Sequence, residues 1–126
     1  MAEQNVFPAL RYQDAPGAVE WLVDVLGFEV RELHEADDGS IAHAQLSHGG
    51  GLIMLGSERD DAFGGRTGGG FTYVAADDVD GLYERARSKG ADVVMEITDT
   101  DYGSRDFSVR DPEGNLWSFG TYRPSR

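Results

Sequence analysis

The sequence contains no cysteine, which excludes a disulfide framework, a thiolate metal centre and a cysteine nucleophile. Lysine is nearly absent too: Lys89 stands alone among 11 basic residues, against 23 acidic ones, for a net charge of −12. A nucleic-acid surface neutralises phosphates with clustered lysine and arginine, so nucleic acid is not an expected partner. An acidic field favours cationic ligands and also serves plain solubility. No apolar run approaches the ~20 residues of a membrane-spanning helix. The opening Met1-Ala2-Glu3-Gln4-Asn5 lacks the basic and apolar regions of a signal peptide. The expectation is a cytoplasmic protein with no membrane partner. Histidine is scarce, with three in the chain, and no serine sits in a nucleophile-elbow pattern, so no Ser/His/Asp triad can be assembled.

What remains is an ordinary globular composition, 40% hydrophobic and 27% charged over 126 residues, the size of one domain with a real core. The first half reads strand, helix, three strands. Val6 to Tyr12 is short and apolar. Asp14-Ala15-Pro16 supplies a cap and an early proline, and Val19, Leu22, Val23 and Leu26 follow at helical spacing before Gly27. Phe28 to Glu35, Ile41 to Ser47 and Leu52 to Leu55 are strands, with Asp38-Gly39 as a two-residue hairpin loop. The second half repeats the order: strand Phe71 to Ala76, a helix opened by Asp77-Asp78 and closed by Gly90, then strands Asp92 to Ile97, Ser104 to Arg110 and Asn115 to Tyr122. Phe7 aligns with Phe71 and Asp14 with Asp78, an offset of 64. The fold class is therefore α+β, one domain over 1–126, written as two βαβββ modules. They span about 5–56 and 71–123, joined by a glycine-rich linker at 57–70. The linker glycines are no phosphate loop, because neither GK[ST] nor a helix follows them.

The last quarter carries the sharpest local signal. Asp111-Pro112-Glu113-Gly114-Asn115 is a turn between two β-rich runs. Proline presets φ, aspartate accepts from the backbone N–H groups just after it, and Gly114 tolerates positive φ. Together with the Asp14 to Val30 helix and strand, and with the Tyr102 to Phe119 ending, this arrangement resembles the vicinal oxygen chelate superfamily of glyoxalases, bleomycin-resistance proteins and extradiol dioxygenases. The resemblance covers nearly the whole chain and is strongest to small bacterial glyoxalase/bleomycin-resistance-like proteins. It implies eight mixed strands curled around a cavity with the helices outside, and a homodimer whose partners complete each other's cavities. Metal-dependent members of that family take ligands from the opening and last strands of each module. Those positions fall on Phe7 and Phe71, near Met54 and on Ser118, none of which suits Zn²⁺, Fe²⁺ or Mn²⁺. A slip of one residue at Phe71 offers only Gly70 or Thr72.

His34 and His43 are the other metal candidates. Through an Asp38-Gly39 loop, residues whose numbers add to 77 face each other, so their Cβ atoms lie roughly 4.5–5.5 Å apart. A divalent metal shared by these two rings, completed by Glu32 or Gln45, is one reading; a polar pair in or near the cavity, or simply exposed strand residues, is the other. His48 reads as an exposed turn residue. Asp77, Asp78 and Asp80 read as helix-start residues, and Asp37 and Asp38 as turn residues. Asp106 is a strand aspartate able to hold a polar ligand group.

On strand alternation Phe7, Ala9 and Arg11 share a face, as do Phe71, Tyr73 and Ala75, whereas Leu10, Tyr12 and Val74 point to the helices. Trp117 and Phe119 flank Ser118 on the core side. The candidate ligand-binding set is Phe7, Arg11, His43, Met54, Phe71, Tyr73, Arg105, Phe107 and Ser118. Its rings can stack on a flat ligand, with Arg11 and Arg105 orienting a carboxylate or hydroxyl. The functional expectation is a non-catalytic binding protein of the antibiotic-sequestering type. It needs no cofactor and takes an aromatic or cationic small molecule. The alternatives are a metal-dependent lyase, isomerase or dioxygenase-like enzyme using His34/His43, and a domain whose old cavity is filled.

Overall fold

Helix start signals and strand alternation place the elements of the computed structural model, which describes residues 4–124. The order is β1 (Ala9–Tyr12), α1 (Ala15–Leu26), β2 (Glu29–Glu35), β3 (Ile41–His48), β4 (Gly51–Ser57), β5 (Phe71–Ala75), α2 (Val79–Ser88), β6 (Asp92–Asp99), β7 (Arg105–Arg110) and β8 (Leu116–Gly120). Two compact units divide between Gly68 and Gly69. Each is one βαβββ repeat with a four-stranded mixed sheet, ordered β1-β4-β3-β2 in the first and β5-β8-β7-β6 in the second.

The repeat is reproduced down to single hydrogen bonds. Asp14 and Asp78 cap their helices, each accepting from the N–H of a glycine three residues on, Gly17 at 3.1 Å and Gly81 at 3.0 Å. In both units the first strand pairs parallel to the fourth, Ala9 beside Met54 and Tyr73 beside Ser118. The helix cap is Asp78, not Asp77; Asp77 instead pairs with Arg123 at 3.2 Å.

Each sheet buries one face under its own helix. In the first unit Ala18, Val19, Leu22, Val25 and Leu26 are buried, as are Ile53, Leu55, Ala44 and Leu46 on the sheet; in the second, Val79, Tyr83 and Ala86 are buried, as are Phe107, Val109, Trp117 and Phe119. Burial of these side chains, roughly 1.5–3 kcal/mol for each large one, drives each unit to fold.

Three local expectations change. The opening strand starts at Ala9, so Phe7 precedes it. The β2–β3 loop has three residues, not two: Ala36 N–H donates to Ser40 at 2.8 Å, Gly39 N–H to Ala36 at 3.0 Å, and Gly39 has φ +85°. A one-residue shift between His34 and Glu35 then restores the pairing of His34 with His43. His48 is no exposed turn residue, because it ends β3, half-buried, with Nε2 3.1 Å from the Leu26 carbonyl and its ring edge-on to Phe28.

Candidate functional site

The face of each sheet turned away from its helix carries most of the candidate residues. In the first unit the pairings run in rows across the strands. Ala9, Met54, Gln45 and Glu32 form one row; beyond it Arg11 pairs with Gly56, and His43 with His34. The two histidine rings stack with centroids 6.2 Å apart and planes at 21°. Neither ring is idle: His34 Nε2 lies 3.1 Å from Glu32 Oε1, and His43 Nε2 lies 3.1 Å from Gln45 Nε2. Among the described residues no three His, Asp or Glu side chains converge as a metal-binding group.

Arg11 is committed to the chain that follows β4. Its guanidinium grips Asp61 through both terminal nitrogens, at 3.3 and 3.1 Å, lies 3.9 Å from Glu58, and sits 6.0 Å from the centroid of the Phe63 ring. The Arg11 hydrogen bond, chiefly, holds the Asp61 carboxyl below its usual 3.8, helped by the Phe63 N–H. Phe7, at 39% exposed, lies just before this face.

In the second unit the corresponding face runs from Phe71, 71% exposed, through Tyr73 and Ser118 to Ser108. The Ser118 and Ser108 hydroxyls are 2.5 Å apart. One row further, Gly120 pairs with Asp106. Here sits a polar cluster whose full extent the sequence reading missed. The Asp106 carboxylate, 6% exposed, accepts from the Ser104 hydroxyl and, at 2.9 Å, from the Tyr102 hydroxyl. Tyr73 donates to the Tyr122 carbonyl at 2.5 Å, and Tyr122 N–H donates to Ser104 Oγ at 3.1 Å. A methyl group at Gly120 would collide with the Asp106 carboxylate and lie 2.7 Å from the Tyr73 hydroxyl. The hydrogen bond to Asp106 raises the Tyr102 phenol above its ordinary value, and desolvation raises that of Tyr73. The signal for this cluster was a short polar run, Tyr102, Ser104 and Asp106, leading from the turn into β7.

Two members of the candidate set do not join it. Phe107 lies on the helix side, fully buried, stacked on Phe119 at 5.2 Å and tilted against Tyr83 at the same distance. The pairing explains this: Phe107 is opposite Phe119, and Ser108 is opposite Ser118. Arg105 also leaves the open face, bonding Asp80 of α2 at 3.0 Å and Asp99 at 3.1 Å. Met54, His43, Tyr73 and Ser118 lie on the open faces as described, and Phe71 stands at the start of β5.

The terminal signature is structural. Asp111 accepts from the N–H of Glu113 and of Asn115, from the Asn115 amide and, at 3.0 Å, from the buried Trp117 indole. Asn115 Oδ1 in turn accepts from Gly70 N–H at 2.8 Å, tying the turn to the start of β5.

Known proteins carry the same architecture. TioX from Micromonospora sp. ML1 superposes with a TM-score of 0.81 at 35% identity over 98% of this chain and 99% of its own. A glyoxalase/bleomycin resistance protein from Streptomyces sp. CB03234 shares the fold, with a TM-score of 0.73 at 20% identity over 92% and 98% of the two chains. The uncharacterized protein Mb0911c of Mycobacterium bovis is 33% identical over 94% of this chain and 83% of its own length. Residues 6–119 match the model of one family, and the chain belongs to it: the glyoxalase/bleomycin resistance protein/dioxygenase superfamily.

Proposed function

We propose that this protein binds a small molecule without transforming it, in the manner of an antibiotic-sequestering member of its superfamily. The observation that carries the reading is what flanks the two central open-face positions. Met54 lies between Ala9 and Gln45, and Ser118 between Tyr73 and Ser108. Imidazole and carboxylate groups, which a divalent metal needs, are missing from these neighbours, while Phe71 and Tyr73 offer rings for stacking. The ligand is an aromatic or cationic compound, drawn by the charge of −12. The working form is a homodimer. The strands β2 and β6, at the sheet edges, expose Val30, Leu33, Val94 and Met95, apolar side chains a partner would cover. No helix among the described residues is long and apolar enough to cross a membrane.

A thermal-shift screen against polycyclic and cationic compounds, run beside metal analysis of the purified protein, tests this. Stabilisation by such a compound without turnover is expected; tight stoichiometric metal or product formation would sink the proposal. The pairing of His34 with His43 favours a second reading, a metal-dependent lyase or isomerase. In that case added metal raises the melting temperature of the native protein and His43→Ala abolishes the rise.

A further inference from the structure

We infer that the open face of the second sheet holds an organic ammonium group, with the Asp106 carboxylate as floor and the rings of Tyr102 and Tyr122 as wall. This rests on the ligand-binding reading above and names the ligand's charged end.

Asp106 carries a charge with no opposite charge beside it. Asp106 is 6% exposed, yet among the described residues no lysine, arginine or histidine comes within ion-pairing reach of it. Its sequence neighbour Arg105 is spent on Asp80 and Asp99, and Arg123 on Asp77. Taking a carboxylate out of water without a counter-charge is costly. Two hydroxyl donors, Ser104 and Tyr102, occupy part of its acceptor capacity; a carboxylate has about four acceptor positions. A fold needing only a lock for this turn could use a neutral amide.

Tyr102 and Tyr122 remain 65% and 52% exposed beside that carboxylate, edge-to-face with centroids 6.4 Å apart. Exposed aromatic rings near a fixed negative charge are what an alkylammonium selects, since its charge meets both the ring quadrupole and the anion. Gly120 fixes the carboxylate in this place: Asp106 Oδ1 and the Tyr73 hydroxyl both pack directly over it, where a Cβ would run into them.

The test titrates the full-length protein with benzylamine, an ammonium at neutral pH, and with benzyl alcohol, its neutral counterpart, following amide shifts by NMR. Benzylammonium should bind about ten-fold more tightly than the alcohol, with the largest shifts at Tyr102, Asp106 and Tyr122. Asp106→Asn should bring the two ligands to within about two-fold. Tyr122→Ala should weaken benzylammonium several-fold; the fold survives it, because the hydrogen bonds of Tyr122 to Ser104 and Tyr73 use its backbone. Equal affinities in the native protein, no binding of benzylammonium, or no loss in Tyr122→Ala would overturn the inference even if Asp106→Asn fails to fold. Benzyl alcohol bound without charge preference removes the ammonium subsite and leaves the ligand-binding reading standing. That reading fails separately, if neutral polycyclic compounds also do not bind.

Discussion

At the scale of single residues, Asp111 shows why the most recognisable stretch of this chain is about folding. Its carboxylate is 3% exposed and serves two backbone N–H groups, an amide and an indole. Asp111→Ala leaves several of those donors buried without a partner, at about 1–3 kcal/mol for each one that water cannot reach. A loss of about 3 kcal/mol in urea unfolding is expected, and a loss below about 1 kcal/mol would show that water replaces the carboxylate. Asp61 behaves differently because it is exposed. Arg11 depresses its pKa below 3.8, so the stabilisation is present above that value and fades as pH falls through the lower, folded pKa. The pair is exposed and therefore modest. Asp61→Asn should flatten the acid limb of the stability profile below about pH 4 and leave neutral pH nearly unchanged; an unaltered acid limb would show the pair contributes nothing. These residues also mark what the sequence could and could not give. An aspartate accepting from the N–H groups after it was legible from turn chemistry. That Arg11 would hold Asp61, fifty residues on, depends on a loop path that no local pattern encodes.

At the scale of elements, the duplicated caps allow a sharper test. Gly17 and Gly81 occupy helix positions where alanine would ordinarily gain up to about 1 kcal/mol in propensity. A Cβ at either would run into the capping carboxylate of Asp14 or Asp78, displacing a cap worth about 1 kcal/mol. Gly17→Ala should therefore be near neutral in the native protein and stabilising by up to about 1 kcal/mol in an Asp14→Ala background. A double-mutant cycle measured by chemical unfolding reads this coupling directly; additivity within error would refute the shared mechanism. Pattern reading works well at this scale. The 64-residue offset between Asp14 and Asp78 also relates Ala9 to Tyr73 and Met54 to Ser118, so a repeat seen in caps holds in the sheets. The pairing of His34 with His43 came out right by two cancelling errors, a loop one residue longer and a bulge that absorbs it. Phe107 was misplaced although the signal existed: the turn at 111–115 is symmetric about Glu113, which puts Ser108 opposite Ser118 and sends Phe107 to the core with Phe119. Alternation says which residues share a face; the partner strand says which face is covered.

At the scale of the whole molecule, the opposing terms are the net charge of −12 and the ion pairs spread over the surface. The pairs Arg110–Asp92, Arg123–Asp77 and Arg87–Glu84 are all exposed, each worth about 0–1 kcal/mol and screened by salt. Raising salt from about 0.01 M to about 0.15 M shortens the Debye length from about 30 Å to about 8 Å. It weakens those pairs slightly but also removes much of the longer-range repulsion among the excess carboxylates, which acts against the compact state. Repulsion extends over many more charge pairs than the short contacts do, so the melting temperature should rise, by about 3 °C if the balance is near 1 kcal/mol. A fall on adding salt would mean that the arginine contacts, chiefly Arg11 with Asp61 and Arg105 with Asp80 and Asp99, outweigh the field. The same screening should loosen a cationic ligand while leaving a neutral aromatic one unaffected. Opposite responses of stability and cation affinity to a single variable follow only if the acidic surface destabilises the fold while attracting the ligand, and scanning calorimetry with and without benzylamine across that salt range measures both.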